Sequence, residues 1–233
     1  MGRKIHPKLF RLATIYTWDS TWFAGGKKFI PFLREDVLIR EYLLEELKEA
    51  SVDRVIIGRN SNDITVTVHS AKPGFIIGRQ GAGIEELKKK LKKKFYRGRR
   101  VNVQVNIQEV SDPARSARIT GLMIANEIER RMPFRRSMKM AAERVMKSGV
   151  KGVKIQVAGR LNGAEIARTE IVTRGSVPLH NLRADVNFSR ITARTIYGAI
   201  GIKIWIYRGE VFGDKVKDEP ATGTRHRRNR SRN

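Results

Sequence analysis

Residues 84–95 alternate apolar side chains with lysines in an order that one backbone conformation satisfies. Ile84, Leu87, Leu91 and Phe95 recur at i, i+3, i+7 and i+11, one face of an α-helix, while Lys88, Lys89, Lys90, Lys92, Lys93 and Lys94 fill the other faces. A strand period of two would drive lysines into a core. The helix must therefore dock its stripe on other elements and display a dense cationic surface, extended by Arg97, Arg99 and Arg100. A lysine-rich helix alone is usually just a solvated face.

What precedes this helix changes that reading. Pro73-Gly74-Phe75-Ile76-Ile77-Gly78-Arg79-Gln80-Gly81-Ala82-Gly83 admits three interpretations, and spacing separates them. A Walker-type phosphate loop needs Lys and Ser/Thr after Gly83, where Ile84 and Glu85 stand. A dinucleotide fingerprint opening at Gly81 needs a small residue where Glu86 stands. The remaining pattern is a G-x-x-G tetrad, Gly78 to Gly81, between two helical stretches. Glycines let a backbone approach sugar-phosphate closely, and the N–H groups of the next helix together with Arg79 offer donors to phosphate oxygens. An ordinary glycine turn is the plain alternative; the apolar flank and the lysine helix weigh against it.

Composition bounds the partner. Lys and Arg number 48 against 23 Asp and Glu, a net charge of +25, while 40% of residues are hydrophobic. That apolar share is enough for a core, so wholesale disorder is excluded and the charge is displayed on a folded surface. Both sides of residue 110 carry the excess, which suits phosphates met on several faces better than a membrane met by one amphipathic helix. The absence of cysteine excludes disulfide scaffolds, thiolate zinc sites and thiol nucleophiles. No apolar run approaches the roughly 20 residues of a membrane span, and no secretory signal is visible, so a cytoplasmic location is expected.

Along the chain, Asp36 is expected to cap a helix running to about residue 50, with Leu43, Leu44 and Leu47 on one stripe. Val55 to Ile57 and the alternating Ile64, Val66 and Val68 read as a hairpin across Arg59-Asn60-Ser61-Asn62-Asp63. Val101, Val103, Val105 and Ile107 alternate with polar residues as a strand with one wet face. Ser111-Asp112-Pro113 signals a helix to about Arg131, Pro133 interrupts, and a second helix runs to about Lys147 with Met138, Ala141, Ala142 and Val145 as its core stripe. Gly149 and Gly152 open a β-rich stretch: Val153 to Val157, Ile166 to Thr173, Ala184 to Phe188, and Ile200 to Ile206. The fold class is α+β, in two parts. Expected limits are an N-terminal segment at 1–17, an RNA-binding domain at 18–110, a second α+β domain at 111–212 with two helices packed on a mostly antiparallel sheet, and a basic tail at 213–233. That tail, rich in Arg and free of acids from Ala221, is expected to be disordered alone.

In the second half, Arg135, Arg136 and Lys139 fall three and four apart on one helix surface. Glu129 and Glu143 offer routine neutralisation, but residues 111–147 hold nine basic and four acidic residues, too few acids to pair them all. Trp18, Trp22 and Phe23 offer base stacking or anchoring. His180 is expected to serve packing.

The G-x-x-G tetrad with its apolar flank, lysine helix and order of helix, strand, strand, loop, helix, strand resembles the type II KH domain. Longer stretches resemble a family: Trp18-Asp19-Ser20-Thr21-Trp22-Phe23-Ala24, Phe134-Arg135-Arg136-Ser137-Met138-Lys139, Gly159 to Thr169, Pro178 to Asp185, and Tyr197-Gly198 through Ile206 look like the bacterial-type small-subunit ribosomal protein S-three family over almost the whole chain. The resemblance implies a non-catalytic protein in the head of the small ribosomal subunit, with ribosomal RNA, messenger RNA and head proteins of the S-ten and S-fourteen families as partners, and no cofactor or metal. It implies RNA binding by Gly78, Arg79, Gln80 and Gly81, with Lys88, Lys89 and Lys92 beside them. Arg135, Arg136 and Lys139 would line the messenger entry tunnel and help separate its helices. Arg79-Gln80 stands where the family more usually has lysines. Two rivals stay open: a nucleic-acid lyase or nuclease, needing a lysine of depressed pKa or clustered metal ligands, and a free KH-type regulator of messenger RNA.

Overall fold

The computed structural model describes residues 4–60, 63–99 and 101–212. The basic tail, the turn residues Ser61 and Asn62, and Arg100 lie outside them. A short helix α1 (Pro7–Phe10) and a two-residue strand β1 (Ser20–Thr21) lead into α2 (Phe29–Glu46), β2 (Val52–Arg59), β3 (Asp63–Ser70), α3 (Pro73–Ile77), α4 (Ala82–Phe95) and β4 (Asn102–Glu109). These strands form one sheet in the order β1-β2-β3-β4. The β2–β3 hairpin is antiparallel, while β3 and β4 run parallel with Ile64 opposite Val103 and Val66 opposite Val105. Parallel neighbours cannot be joined by a tight turn. The α3–α4 pair is the crossover that joins them, and this places the glycine motif at its elbow. One face of the sheet buries Ile57, Val66, Val68 and Val105 against Leu43, Leu87 and Leu91.

The chain continues through α5 (Ala117–Glu129), α6 (Phe134–Lys147), β5 (Gly152–Gly159), β6 (Arg168–Gly175), β7 (Ala184–Thr195) and β8 (Gly198–Glu210). The second sheet is antiparallel throughout, in the order β6-β5-β8-β7. Its inner face, Val153, Ile155, Val157, Ile202, Ile204 and Ile206, packs on Ile124, Ala125, Met138, Ala142 and Val145 of the two helices. The fold is thus α+β, with helices on an antiparallel sheet in its second part.

Three expectations about the elements are corrected. Asp36 does not cap a helix: α2 begins at Phe29, with Pro31 tolerated in its first turn, and Asp36 lies in mid-helix, 1% exposed. It accepts hydrogen bonds from Arg59 Nε (2.7 Å), Trp22 Nε1 (2.6 Å) and Ser20 Oγ (3.0 Å). The helix after Pro113 starts later than its proline signal, at Ala117, because Ser116 caps it by accepting from Ile119 N at 3.3 Å. The strand at Ala184 runs on to Thr195.

The N-terminal residues pack on the second sheet. His6 meets the Phe188 ring edge-on at 4.8 Å, and Phe188 in turn lies 5.2 Å from Trp205. Tyr16 donates to Asp185 Oδ1 at 2.5 Å. Burial, then the Asp185 charge and hydrogen bond, raise the Tyr16 pKa far above its ordinary value, so the phenol stays a donor. Arg11, fully buried, donates to the carbonyl oxygens of Pro7, Pro178, Leu179 and Asn181. His180 is exposed instead of packed.

Candidate nucleic-acid interface

The chain reversal between α3 and α4 is made by residues 78–81. Gly78 has φ +69° and Gly81 +83°, and Gln80 between them adopts the left-handed +54°. The glycines of this region serve different ends. A Cβ on Gly81 would meet nothing within 4 Å, whereas one on Gly83 would lie 2.5 Å from the Ile76 carbonyl oxygen. Gly81 supplies a backbone conformation and leaves open space beside the loop, as a close approach of sugar-phosphate requires. Gly83, not singled out by the sequence, lets the first turn of α4 pack on the end of α3. Gly81 caps α4 with no side-chain hydrogen bond, so the first N–H groups of a 14-residue helix keep their positive potential unneutralised by the cap.

Arg79 and Gln80 stand exposed at the tip. Because position 80 already accommodates a non-glycine side chain, Gln80→Lys adds a cation without new backbone strain. Its binding to a single-stranded oligouridine should show a slope of log affinity against log salt steeper by about 0.7, the value of one added phosphate contact. An unchanged slope would show that the loop tip does not touch phosphate.

The lysines of α4 divide by direction. Lys90 donates to Glu46 Oε1 at 2.5 Å and Lys94 lies 4.1 Å above the Tyr42 ring, so this i, i+4 pair serves the packing of α4 beside α2. Lys88, half-buried, and the exposed Lys89 and Lys92 hold no ion pair among the described residues. Lys88 and Lys92, four apart, continue the cationic surface from the glycine loop down one face of the helix. The hydrogen bond and charge of Glu46 raise the Lys90 pKa, the opposite of what amine nucleophilicity needs.

The second group opens α6. Its first turn carries Arg135 and Arg136, no acid, and no capping side chain, since Pro133 occupies the cap. Cations at this end oppose the helix dipole, at a cost of about 0.3–1 kcal/mol each, so the placement does not serve helix stability. Phe134, Met138 and Ala142 hold the opposite face in the core. Arg135 Nη2 donates to Glu170 Oε1 at 3.0 Å, and Arg168 Nε lies 3.9 Å from the same oxygen. The expected neutralisers do not act here: Glu129 accepts from the Arg194 backbone N–H at 2.8 Å, and no ion pair of Glu143 occurs among the described residues. Arg136 and Lys139 are exposed with no ion pair among the described residues. Arg168, 6.0 Å from the Phe134 ring, joins the cluster; its sequence position far from Arg135 hides it, and its place in the family-like stretch Gly159 to Thr169 is its one signal.

The two groups rest on different cores. No hydrogen bond or ion pair links them among the described residues. Of the aromatic candidates, Trp22 is an anchor, bonded to Asp36 and packed on Phe29 and Phe32, while Trp18 and Phe23 remain exposed. Among the described residues no three His, Asp or Glu side chains gather as metal ligands, and no helix is long and apolar enough to cross a membrane.

The chain matches family models for the KH domain over residues 38–115 and for the ribosomal protein S3 C-terminal domain over residues 124–206. It is 47% identical over 234 residues to the small ribosomal subunit protein uS3 of Oenococcus oeni, covering 99% of this chain and 88% of that one. It is 44% identical over 232 residues to uS3 of Photobacterium profundum, each covered in full, and 45% identical to uS3 of Burkholderia cenocepacia over 98% of this chain and 86% of that one.

Proposed function

The chain belongs to the small ribosomal subunit protein uS3 family, and from that membership we propose that it is a structural, non-catalytic constituent of the small subunit that holds ribosomal RNA and grips entering messenger RNA. The observation that carries the messenger reading is the start of α6, where Arg136 and Lys139 stand exposed and unpaired among the described residues at a helix end that is already positive. A phosphate there gains from both the side chains and the dipole. Arg135 keeps its guanidinium 3.0 Å from Glu170, so it exchanges one anion for another and contributes least. A few such contacts give a grip that salt removes, with a slope of about −0.7 per phosphate on a single strand. That suits a strand that must slide. Unwinding energy would come from translocation, since the glycine loop lacks the residues of a nucleotide-hydrolysing motif.

The glycine loop with Lys88, Lys89 and Lys92 is assigned to ribosomal RNA. Protein neighbours of the S-ten and S-fourteen families are assigned to surfaces RNA does not use, such as the exposed apolar Phe23, Ile30, Leu33 and Val37. Ribosomes carrying the triple variant Arg135→Ala, Arg136→Ala, Lys139→Ala should assemble normally yet pass messages with stable hairpins more slowly than unstructured ones, measured as elongation rate in a reconstituted system. Equal slowing on both templates, or none, would contradict the tunnel assignment. Sedimentation with small subunits at high salt separates this reading from a free KH regulator, which would be released.

A further inference from the structure

We propose that the face of the second sheet opposite α5 and α6, beyond the part met by the N-terminal segment, is a separate binding surface for the sugar-phosphate backbone of double-stranded RNA. The proposal rests on the ribosomal reading only for the class of partner, and concerns residues that reading does not use.

Strand pairing fixes which side chains share this face. Ile171, Gln156, Lys203 and Arg190 form one cross-strand row, on the side opposite the core residues Ile155, Ile202 and Ile204. Lys203 and Arg190 are direct partners across β8 and β7, and both are exposed. Like charges directly opposite one another destabilise a sheet. This sheet nevertheless adds Lys154 one row away, its ammonium 5.5 Å from the Trp205 ring, and Arg194 further along β7. Outward positions of the four strands from 169–173, 154–158, 188–194 and 199–205 include no carboxylate. None of Lys154, Arg190, Arg194 and Lys203 has an ion pair among the described residues. A sheet face that gathers cations, excludes acids from these positions and leaves Arg190, Thr192, Arg194 and Lys203 exposed beyond the N-terminal segment is complementary to an extended polyanion.

The aromatic residues decide between single and double strands. Sheets that bind single-stranded RNA present exposed rings for stacking. Here Trp205 is 8% exposed and Phe188 is wedged between it and His6 of the N-terminal segment. The free part of the face instead carries hydroxyl and amide groups, Thr169, Thr173, Thr192 and Gln156, interspersed with the cations. Such groups suit phosphates and ribose 2′-hydroxyls, the features by which A-form duplexes are bound without reading bases.

The test uses the full chain and three probes: a 20-base-pair RNA duplex, a 20-nucleotide oligouridine and polyglutamate. The variant Lys154→Gln, Arg190→Gln, Lys203→Gln should reduce the magnitude of the log affinity against log salt slope for the duplex by about 2–3, three phosphate contacts at about 0.9 each, with oligouridine binding unchanged. A charge-matched control, Lys27→Gln, Lys48→Gln, Lys147→Gln, should leave the duplex slope unaltered, and circular dichroism should show all variants folded. Equal loss on both RNAs, a loss matched by the control, or polyglutamate binding that falls in parallel with the duplex would each overturn the proposal. The Arg135, Arg136 and Lys139 triple variant in the same assay should flatten the salt slope for oligouridine and leave that for the duplex unchanged, so failure of either assignment shows without the other.

Discussion

Replacing Asp36 by Ala should destabilise the first sheet by about 3 kcal/mol, the low end of the cost of breaking a buried ion pair, because Glu35 still faces Arg59 while two further donors lose their acceptor. The Arg59 side chain is 5% exposed and Asp36 1%, and Arg59 also donates to Glu35 Oε2 at 2.9 Å and lies 5.1 Å from the Phe32 ring. Burial pulls the Arg59 pKa down, but hydrogen bonds to Glu35 and Asp36 and the surrounding negative groups turn the balance to a net rise. Without Asp36 the guanidinium stays charged and buried, and Trp22 Nε1 and Ser20 Oγ lose their acceptor as well. Urea unfolding followed by far-ultraviolet circular dichroism reads this loss. The double variant Asp36→Leu, Arg59→Met should recover much of it, because removing both partners of a buried pair is often near neutral. A loss below about 1 kcal/mol in the single variant would show that the network is not a closing element of this fold.

Arg11→Ala should release the N-terminal segment from the second sheet. One guanidinium serves four carbonyls, at 2.9, 3.3, 3.0 and 2.8 Å, three of them from residues 178–181. Charge-assisted bonds of this kind contribute about 1.5–3 kcal/mol each where an acceptor would otherwise stay buried, so a local loss of roughly 3 kcal/mol is expected even if water reaches some of them. Arg11→Lys should recover little, since an ammonium cannot fork between the Pro7 carbonyl and the 178–181 turn. Hydrogen exchange at Val186 and Tyr207, which line the small cluster beside this segment, should accelerate while Ile155 in the main core stays protected. Uniform acceleration in both places would instead make Arg11 a determinant of the whole domain.

Both sites lay mostly beyond what sequence reasoning could reach, and the reasons are physical. Period-two alternation in Ile64 to Val68 and Val101 to Ile107 made β3 and β4 legible, and the 3.6 period of Ile84 to Phe95 and of Met138 to Val145 made α4 and α6 legible. Asp36 was misread because an acid preceding a leucine-rich run has the form of a cap, whereas its place three residues before Ile39 on the buried stripe was the better signal. Arg11 gave no signal, since three of its four acceptors are backbone atoms some 170 residues away. Strand β7 read short because Arg190, Thr192 and Arg194 look like a polar loop; they are one face of a strand whose other face holds Ile191 and Ala193. The lysine run was legible as charge but not as two directions, because the diversion of Lys90 and Lys94 depends on where α2 lies. The pairing of Arg135 with Glu170 joins residues 35 apart in sequence that only the fold brings together.

Cryo-electron microscopy of small subunits that carry this chain and a message extending well downstream tests the whole account most directly. The guanidinium of Arg136 and the ammonium of Lys139 are expected within about 3 Å of consecutive message phosphates. Finding these two side chains turned to solvent or buried against protein, with the message running elsewhere, would contradict it.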